Sequence, residues 1–196
     1  MRRILIAVAV VFGLMTPLMV WAQEGNEHVE IGAFANYFRL NRNNTNVNFL
    51  GLGGRAGFNV TQNVQLEAEM AYDFERAFNT DFQNGDTFTT VRTKTRVLHG
   101  LFGPKFQAGS GHFKAFATGK VGIISFSSTN QSPTGGFESS FDAVNNGSAK
   151  LAVYPGGGIE GFWGPFGVRL EAGDEIYFDH GARNNLRVTA GPVIRF

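Results

Sequence analysis

The chain has 196 residues, 17 of them basic and 16 acidic, and no cysteine. A charge this close to neutral excludes the basic surface that nucleic-acid binding needs, and the missing cysteines exclude a disulfide framework. Its 26 glycines and 20 phenylalanines are more than an ordinary soluble domain of this length carries.

The chain opens with a basic Met1-Arg2-Arg3, followed by an apolar run from Ile4 to Leu14 and then Thr16-Pro17. Val20-Trp21-Ala22 supplies small residues at −3 and −1, so residues 1–22 are expected to be a secretory signal peptide cut after Ala22. The competing reading, a membrane-anchoring helix over Ile4–Ala22, is disfavoured by Pro17 and by the cleavage site. Residues 23–196 then form one domain with 15 basic and 16 acidic residues and no second apolar run long enough for a membrane helix.

That domain carries period-two patterns from end to end, the mark of half-buried strands. The first strand alternates Val29, Ile31, Ala33, Ala35 and Tyr37 with Glu30, Gly32, Phe34, Asn36 and Phe38. A second runs from Leu50 to Val60. The third sets Val64, Leu66, Ala68, Met70, Tyr72 and Phe74 against Gln65, Glu67, Glu69 and Asp73. In the fourth, about Thr89–Phe102, the pattern groups Val97, His99 and Leu101 on one face and Lys94, Arg96 and Leu98 on the other. The remaining four run over His112–Phe126, Lys150–Phe162, Phe166–Tyr177 and Asn185–Phe196. Polar connections at Asn41–Asn48, Ala77–Thr87, Ser127–Lys150 and Asp179–Asn184 alternate with tight ones at Val60–Asn63, Gln107–Gly111 and Trp163–Pro165.

Eight long strands with long loops at one end and tight turns at the other give an all-β expectation: an eight-stranded antiparallel up-and-down transmembrane β-barrel. Lipid offers no hydrogen bonds, so a spanning sheet must close on itself. The outer face is then apolar and the inner face polar. The polar parity holds Arg55, Glu67, Glu69, Arg96, Lys114, Lys120, Glu160, Arg169, Glu171 and Arg187. In a lumen only wide enough for side chains, these charges are expected to pair with one another, since a buried charge is tolerated only when paired. An ion path along the same residues is the functional alternative. Aromatic bands are expected near the loop ends (Tyr37, Tyr72, Phe74, Phe126, Phe178) and the turn ends (Phe58, Phe113, Phe162, Trp163, Phe166, Phe196). "GLGGRAG" (Gly51–Gly57) lies inside a strand with no helix after it, so it is no nucleotide-binding loop.

On the signal peptide, the third strand "VQLEAEMAYDF", the "LFGPKF" that closes the fourth and the terminal "TAGPVIRF", the chain resembles the outer-membrane β-barrel domains of the OmpA-like superfamily, over residues 27–196. Thr189, Gly191, Ile194 and Phe196 fill the positions of the assembly signal of that class. The resemblance implies an outer-membrane location in a Gram-negative-type bacterium. Its implied partners are outer-membrane lipids and lipopolysaccharide, with the barrel-assembly machinery and periplasmic chaperones during insertion. Pro192 departs from the pattern, because proline removes a ladder donor; a bulge or a solvent-side position is expected there. No peptidoglycan-binding domain is expected after the last strand, so the tethering role of two-domain relatives does not carry over.

Neither a cofactor nor a metal is expected. The lipid A deacylases carry a His-x-Ser pair, and none of His28, His99, His112 and His180 has serine two residues later. Asp179-His180 reads as a polar loop, and His99 has lipid-facing parity. The reading favoured is a monomeric, non-enzymatic structural or surface-interaction module. Its candidate contact surface is the third loop, with Phe137 and Phe141. A narrow porin-like pore and a lipid A-modifying enzyme are the alternatives.

Overall fold

The computed structural model describes residues 28–42, 45–84, 87–109, 112–130, 149–179 and 181–196. The expected signal peptide, most of the third loop with Phe137 and Phe141, and His180 lie outside these residues.

Every element among the described residues is a strand. In chain order they are β1 Val29–Arg42, β2 Thr45–Asn59, β3 Val64–Asn84, β4 Thr87–Ala108, β5 Phe113–Asn130, β6 Ala149–Trp163, β7 Phe166–Asp174, β8 Ile176–Phe178, β9 Ala182–Arg183 and β10 Leu186–Arg195. Each of β1 to β6 pairs antiparallel with the next. Both β7 and β8 lie on β6 in one continuous register interrupted at Glu175, so they are two parts of one wall strand. The pairing of β10 with β7 and of β1 with β10 completes the ring. The result is the closed eight-stranded wall expected from the sequence, with β9 added as a short rung on β8.

The wall is inside-out relative to a soluble protein. Along β7 exposed Phe166, Val168, Leu170 and Ala172 alternate with buried Gly167, Arg169 and Glu171. Leu52, Phe102, Val121 and Ile159 are exposed on other strands, while Arg55, Lys105, Lys120 and Arg187 are buried. In water this distribution would be costly on both faces. A hydrocarbon exterior removes the first cost and internal pairing the second.

Two of the polar segments expected to be loops are largely strand. β1 and β2 stay paired to Arg42↔Thr45, and β3 and β4 to Asn84↔Thr87. β3 and β4 are 21 and 22 residues long, about twice what a tilted strand needs to cross a bilayer. Polar side chains mark where a strand leaves lipid for water, and the backbone ladder continues past that point.

The lumen has two storeys. Toward the long hairpins it is apolar, packed by Phe38, Leu40, Phe49, Val97, Leu101, Ile124, Ala152, Tyr154 and Tyr177. Toward the tight turns it is charged. This division inverts the expected parity of β4. Val97 stands opposite Asp73, and both are fully buried, so Val97, His99, Leu101, Lys105 and Gln107 face inward. His99 is therefore a lumen residue, not a lipid-facing one. Arg96 lies on the other parity and pairs with the partly exposed Glu75 at 3.8 Å. The sequence misleads here because the apolar face of this strand segment fills the upper lumen. Two of the expected band aromatics also turn inward. Phe162 is buried under the Arg195 guanidinium, 3.6 Å from its ring centre, and Phe126 packs against the apolar cluster.

Pro192 is exposed and keeps its place opposite Val168 on β7. On the β1 side the rungs at Ala33 and Phe34 are missing, yet the register resumes unshifted at Ala35↔Ala190. The reciprocal bonds of Val29 with Phe196 set the hydrogen-bonded rungs at every second residue, which puts Pro192 where it would donate to Ala33. Of the two outcomes expected for the proline, the exposed position holds and the bulge does not form, so one ladder bond is lost. The adjacent Gly191 lets the strands close up: a Cβ there would lie 2.0 Å from the Ala33 carbonyl oxygen.

Candidate functional site

The charged storey of the lumen is the only dense cluster of reactive side chains among the described residues, and it is assembled from all eight wall strands. At the turn end, β4 brings Lys105, whose Nζ lies 2.5 Å from Glu160 Oε1 on β6 and 3.4 Å from Glu30 Oε1 on β1. Above it, Arg169 on β7 pairs with Glu67 on β3 and with Glu171, and reaches Glu160 at 3.4 Å. Lys120 of β5 sits at the centre, 2.6 Å from Glu67, 2.7 Å from Glu69 and 3.0 Å from Glu171. Arg55 on β2 donates to Glu171 at 2.8 Å and to Thr189 Oγ1 at 2.9 Å. The Arg55 guanidinium also stacks 4.3 Å from the Phe34 ring. Arg187 on β10 donates to Glu69 at 2.7 Å.

The top of this storey is a closed ring of five side chains. Arg187 Nε donates to Asn36 Oδ1 at 2.8 Å, and Asn36 Nδ2 donates to Asp73 Oδ1 at 2.6 Å. Asp73 Oδ2 lies 3.0 Å from His99 Nε2, and His99 Nδ1 lies 2.8 Å from Glu175 Oε1. Glu175 Oε2 returns to Arg187 at 3.5 Å. The ring spans the barrel directly beneath the apolar plug, with the edge of Phe38 packed on His99 at 4.8 Å between centroids.

No protein-family model and no curated protein matches the chain. Solved structures do. Neisserial surface protein A aligns with a TM-score of 0.58 at 11% identity, covering 88% of this chain and all of that one. Ail, the attachment invasion locus protein of Yersinia pestis, solved with the heparin analogue sucrose octasulfate, gives 0.56 at 14% identity over 87% of this chain and all of that one. The outer membrane protein OprG of Pseudomonas aeruginosa gives 0.52 at 10% identity over 87% of this chain and 96% of that one.

The fold is that of the small outer-membrane β-barrels.

Within this barrel, nine of the ten charges expected in the lumen lie at inward-facing positions of the wall. Arg55, Glu67, Glu69, Lys120, Glu160, Arg169, Glu171 and Arg187 are buried in the network, and Lys114 is half-buried at the turn end on the rung of Glu160. Arg96 is the exception already described. Glu30, Asp73, His99, Lys105 and Glu175 join the network beyond the charges expected from parity. The parity of β1 and β3 carried a signal for Glu30 and Asp73, which share faces with Asn36 and Glu69. His99 was hidden by the inverted parity of β4, and Lys105 lies past the end expected for that strand.

Glu67, Glu69 and Glu171 bring carboxylate oxygens within 4.8 Å of one another, a spacing compatible with a metal ion. The Lys120 ammonium already occupies the centre of that triangle. His99 has both ring nitrogens committed to carboxylates and no hydroxyl or thiol partner among its described contacts. Such a histidine orients its neighbours.

The residues of the expected assembly signal divide between the two faces of the barrel. Thr189 is buried and bonded to Arg55, and Gly191 also points inward. Ile194 and Phe196 point outward and are exposed. Phe196 is held by the closing rung, its N–H donating to the Val29 carbonyl at 2.9 Å and its carbonyl accepting from Val29 N–H at 3.2 Å.

Proposed function

We propose that this protein is a closed, non-enzymatic outer-membrane barrel that anchors long surface hairpins and does not conduct. The observation that carries the reading is the doubly sealed lumen: an ion-paired storey at the turn end and an apolar plug at the hairpin end. A water-filled path would need both to open. Eight strands leave little room for that, since their interior is just wide enough for side chains. The hairpins of β1–β2 and β3–β4 project rigid, strand-paired surface past the membrane, as suits a contact module. A surface role for the third loop over Thr129–Gly147 is part of the same proposal.

The test is conductance. Purified barrel reconstituted in planar bilayers is expected to be electrically silent between −100 and +100 mV (roughly 2.3 kcal/mol per charge at either limit). Steady single-channel openings would sink the closed reading and favour a pore.

We further propose that Phe196 serves the barrel-assembly machinery during insertion, with Ile194 on the same outward face. Deleting Phe196 removes the rung that ties β10 to the start of β1. The expected outcome is a several-fold drop in folded barrel in outer-membrane fractions, read as the heat-modifiable band on unboiled gels. Unchanged amounts would remove the residue from that role.

A further inference from the structure

Two neighbouring strands of the wall part before they end. β2 and β3 are paired from Asn59↔Gln65 up to Gly51↔Asp73, and there the ladder stops. Yet β2 extends back to Thr45 and β3 onward to Asn84. Beyond that rung, among the described residues, the backbone ladder pairs β2 only with β1 and β3 only with β4. The irregularity in β3 between Asp73 and Arg76 falls at the same level.

The divergence opens a notch of about 300 Å³ lined by Asn48, Phe49, Leu50, Phe74, Glu75 and Arg76. Its floor is Phe49, only 1% exposed and part of the apolar plug. Its mouth is flanked by Leu50 and Phe74, which are 65% and 51% exposed on the outer wall. The notch thus opens on the outer wall, at the border of the hydrocarbon, and is closed toward the lumen. Unpaired backbone groups cannot face hydrocarbon, so the end of the β2–β3 ladder also marks the depth at which the wall leaves it.

At that depth Arg76 stands beside the ion-paired carboxylate of Glu75. Arg76 reaches across the notch, its guanidinium donating to the Asn48 carbonyl. Among the described residues no carboxylate pairs with Arg76, because Glu75 is engaged by Lys94 at 2.8 Å and Arg96 at 3.8 Å. Arg39, exposed on β1, stands on the rung of Asn48.

We propose that the notch binds one acyl chain of an anionic, single-chain amphiphile drawn from the surrounding bilayer. The chain lies between Leu50 and Phe74 against Phe49, and the acidic head group meets Arg76. The volume is at the small end of ligand sites, and apolar walls with one well-placed polar group are their usual make-up. Because Phe49 closes the floor, the notch holds a ligand and does not pass it into the lumen. The inference rests on the membrane placement above.

The experiment uses the full-length mature protein in neutral-lipid nanodiscs with a diazirine-bearing palmitate as photoprobe, and cross-links are mapped by mass spectrometry. Labelling is expected to concentrate at Asn48–Leu50 and Phe74–Arg76 and to be competed by unlabelled palmitate. Leu50→Trp, which fills the mouth, and Arg76→Gln are each expected to lower it several-fold. Leu170→Trp, on β7 away from the notch, should leave it unchanged. Heat-modifiable migration of each variant separates loss of binding from loss of folding. Labelling spread evenly over the outer wall, or insensitive to both substitutions, overturns the site. Equal labelling by the uncharged hexadecanol analogue overturns the anionic ligand class. Failure of the protein to insert into nanodiscs would instead overturn the membrane placement.

Discussion

Lys120→Met is expected to destabilise the folded barrel by about 3–5 kcal/mol, the usual loss when one partner of a buried ionic cluster is removed. The methionine would occupy much of the lysine stem, so little of the loss comes from packing. Its source is the central ammonium, which lies within 3.0 Å of all three glutamates, Glu67, Glu69 and Glu171. Without it, carboxylates whose oxygens lie within 4.8 Å of one another depend on Arg55, Arg169 and Arg187 alone. Urea titration of the detergent-solubilised barrel, followed by the folded band on unboiled gels, reads the effect as a lowered midpoint. Adding Glu171→Gln in the Lys120→Met background should recover part of the loss, since it removes one uncompensated charge. A midpoint equal to that of the parent would mean that the surrounding arginines suffice and the lysine is dispensable.

His99→Leu should cost about 3 kcal/mol by the same route. Its two ring nitrogens face Asp73 at 3.0 Å and Glu175 at 2.8 Å. Leucine suits the apolar plug above but leaves two buried acids without a shared donor. The damage is expected to be local as well as global. Glu175 marks the interruption between β7 and β8, and its backbone N–H donates to the Asn185 carbonyl. Freeing its side chain should loosen the β8–β9 hairpin, so tryptic cleavage after Arg183 is expected to accelerate. The triple variant with Asp73→Asn and Glu175→Gln should fold more stably than His99→Leu alone, because neutral amides cost less to bury unpaired than carboxylates do. If His99→Leu alters neither the midpoint nor the cleavage rate, the five-membered ring is not a structural seal.

The two predictions test the two kinds of information that the sequence held unequally. Lys120, Glu69 and Glu171 were legible because each sits between apolar neighbours that must face lipid: Gly119 and Val121, Ala68 and Met70, Leu170 and Ala172. At the depth of the hydrocarbon the outer face has no choice of chemistry, so parity assigns the inner face by elimination. His99 was not legible. Its strand carries Arg96 and Lys94 on one parity and Val97 and Leu101 on the other, and near the membrane surface the rule that charge points inward no longer holds. There the outer wall meets head groups and water, while the lumen can be packed with apolar groups.

The linear chain determined the class of solvent, the number of wall strands, their antiparallel order and the alternation that puts lipid on one face. These follow from a requirement that every span must meet separately: an apolar outer side chain at each second residue and a closed hydrogen-bonded ladder. Tertiary structure alone decided what depends on the relative height of distant strands. It set Lys120 among glutamates from β3 and β7, joined Asn36, Asp73, His99, Glu175 and Arg187 into one ring, and parted β2 from β3 above Gly51. Parity is a local property with a period of two residues. The stagger between strands is fixed only when the whole wall closes, and it is this stagger that chooses which charges meet.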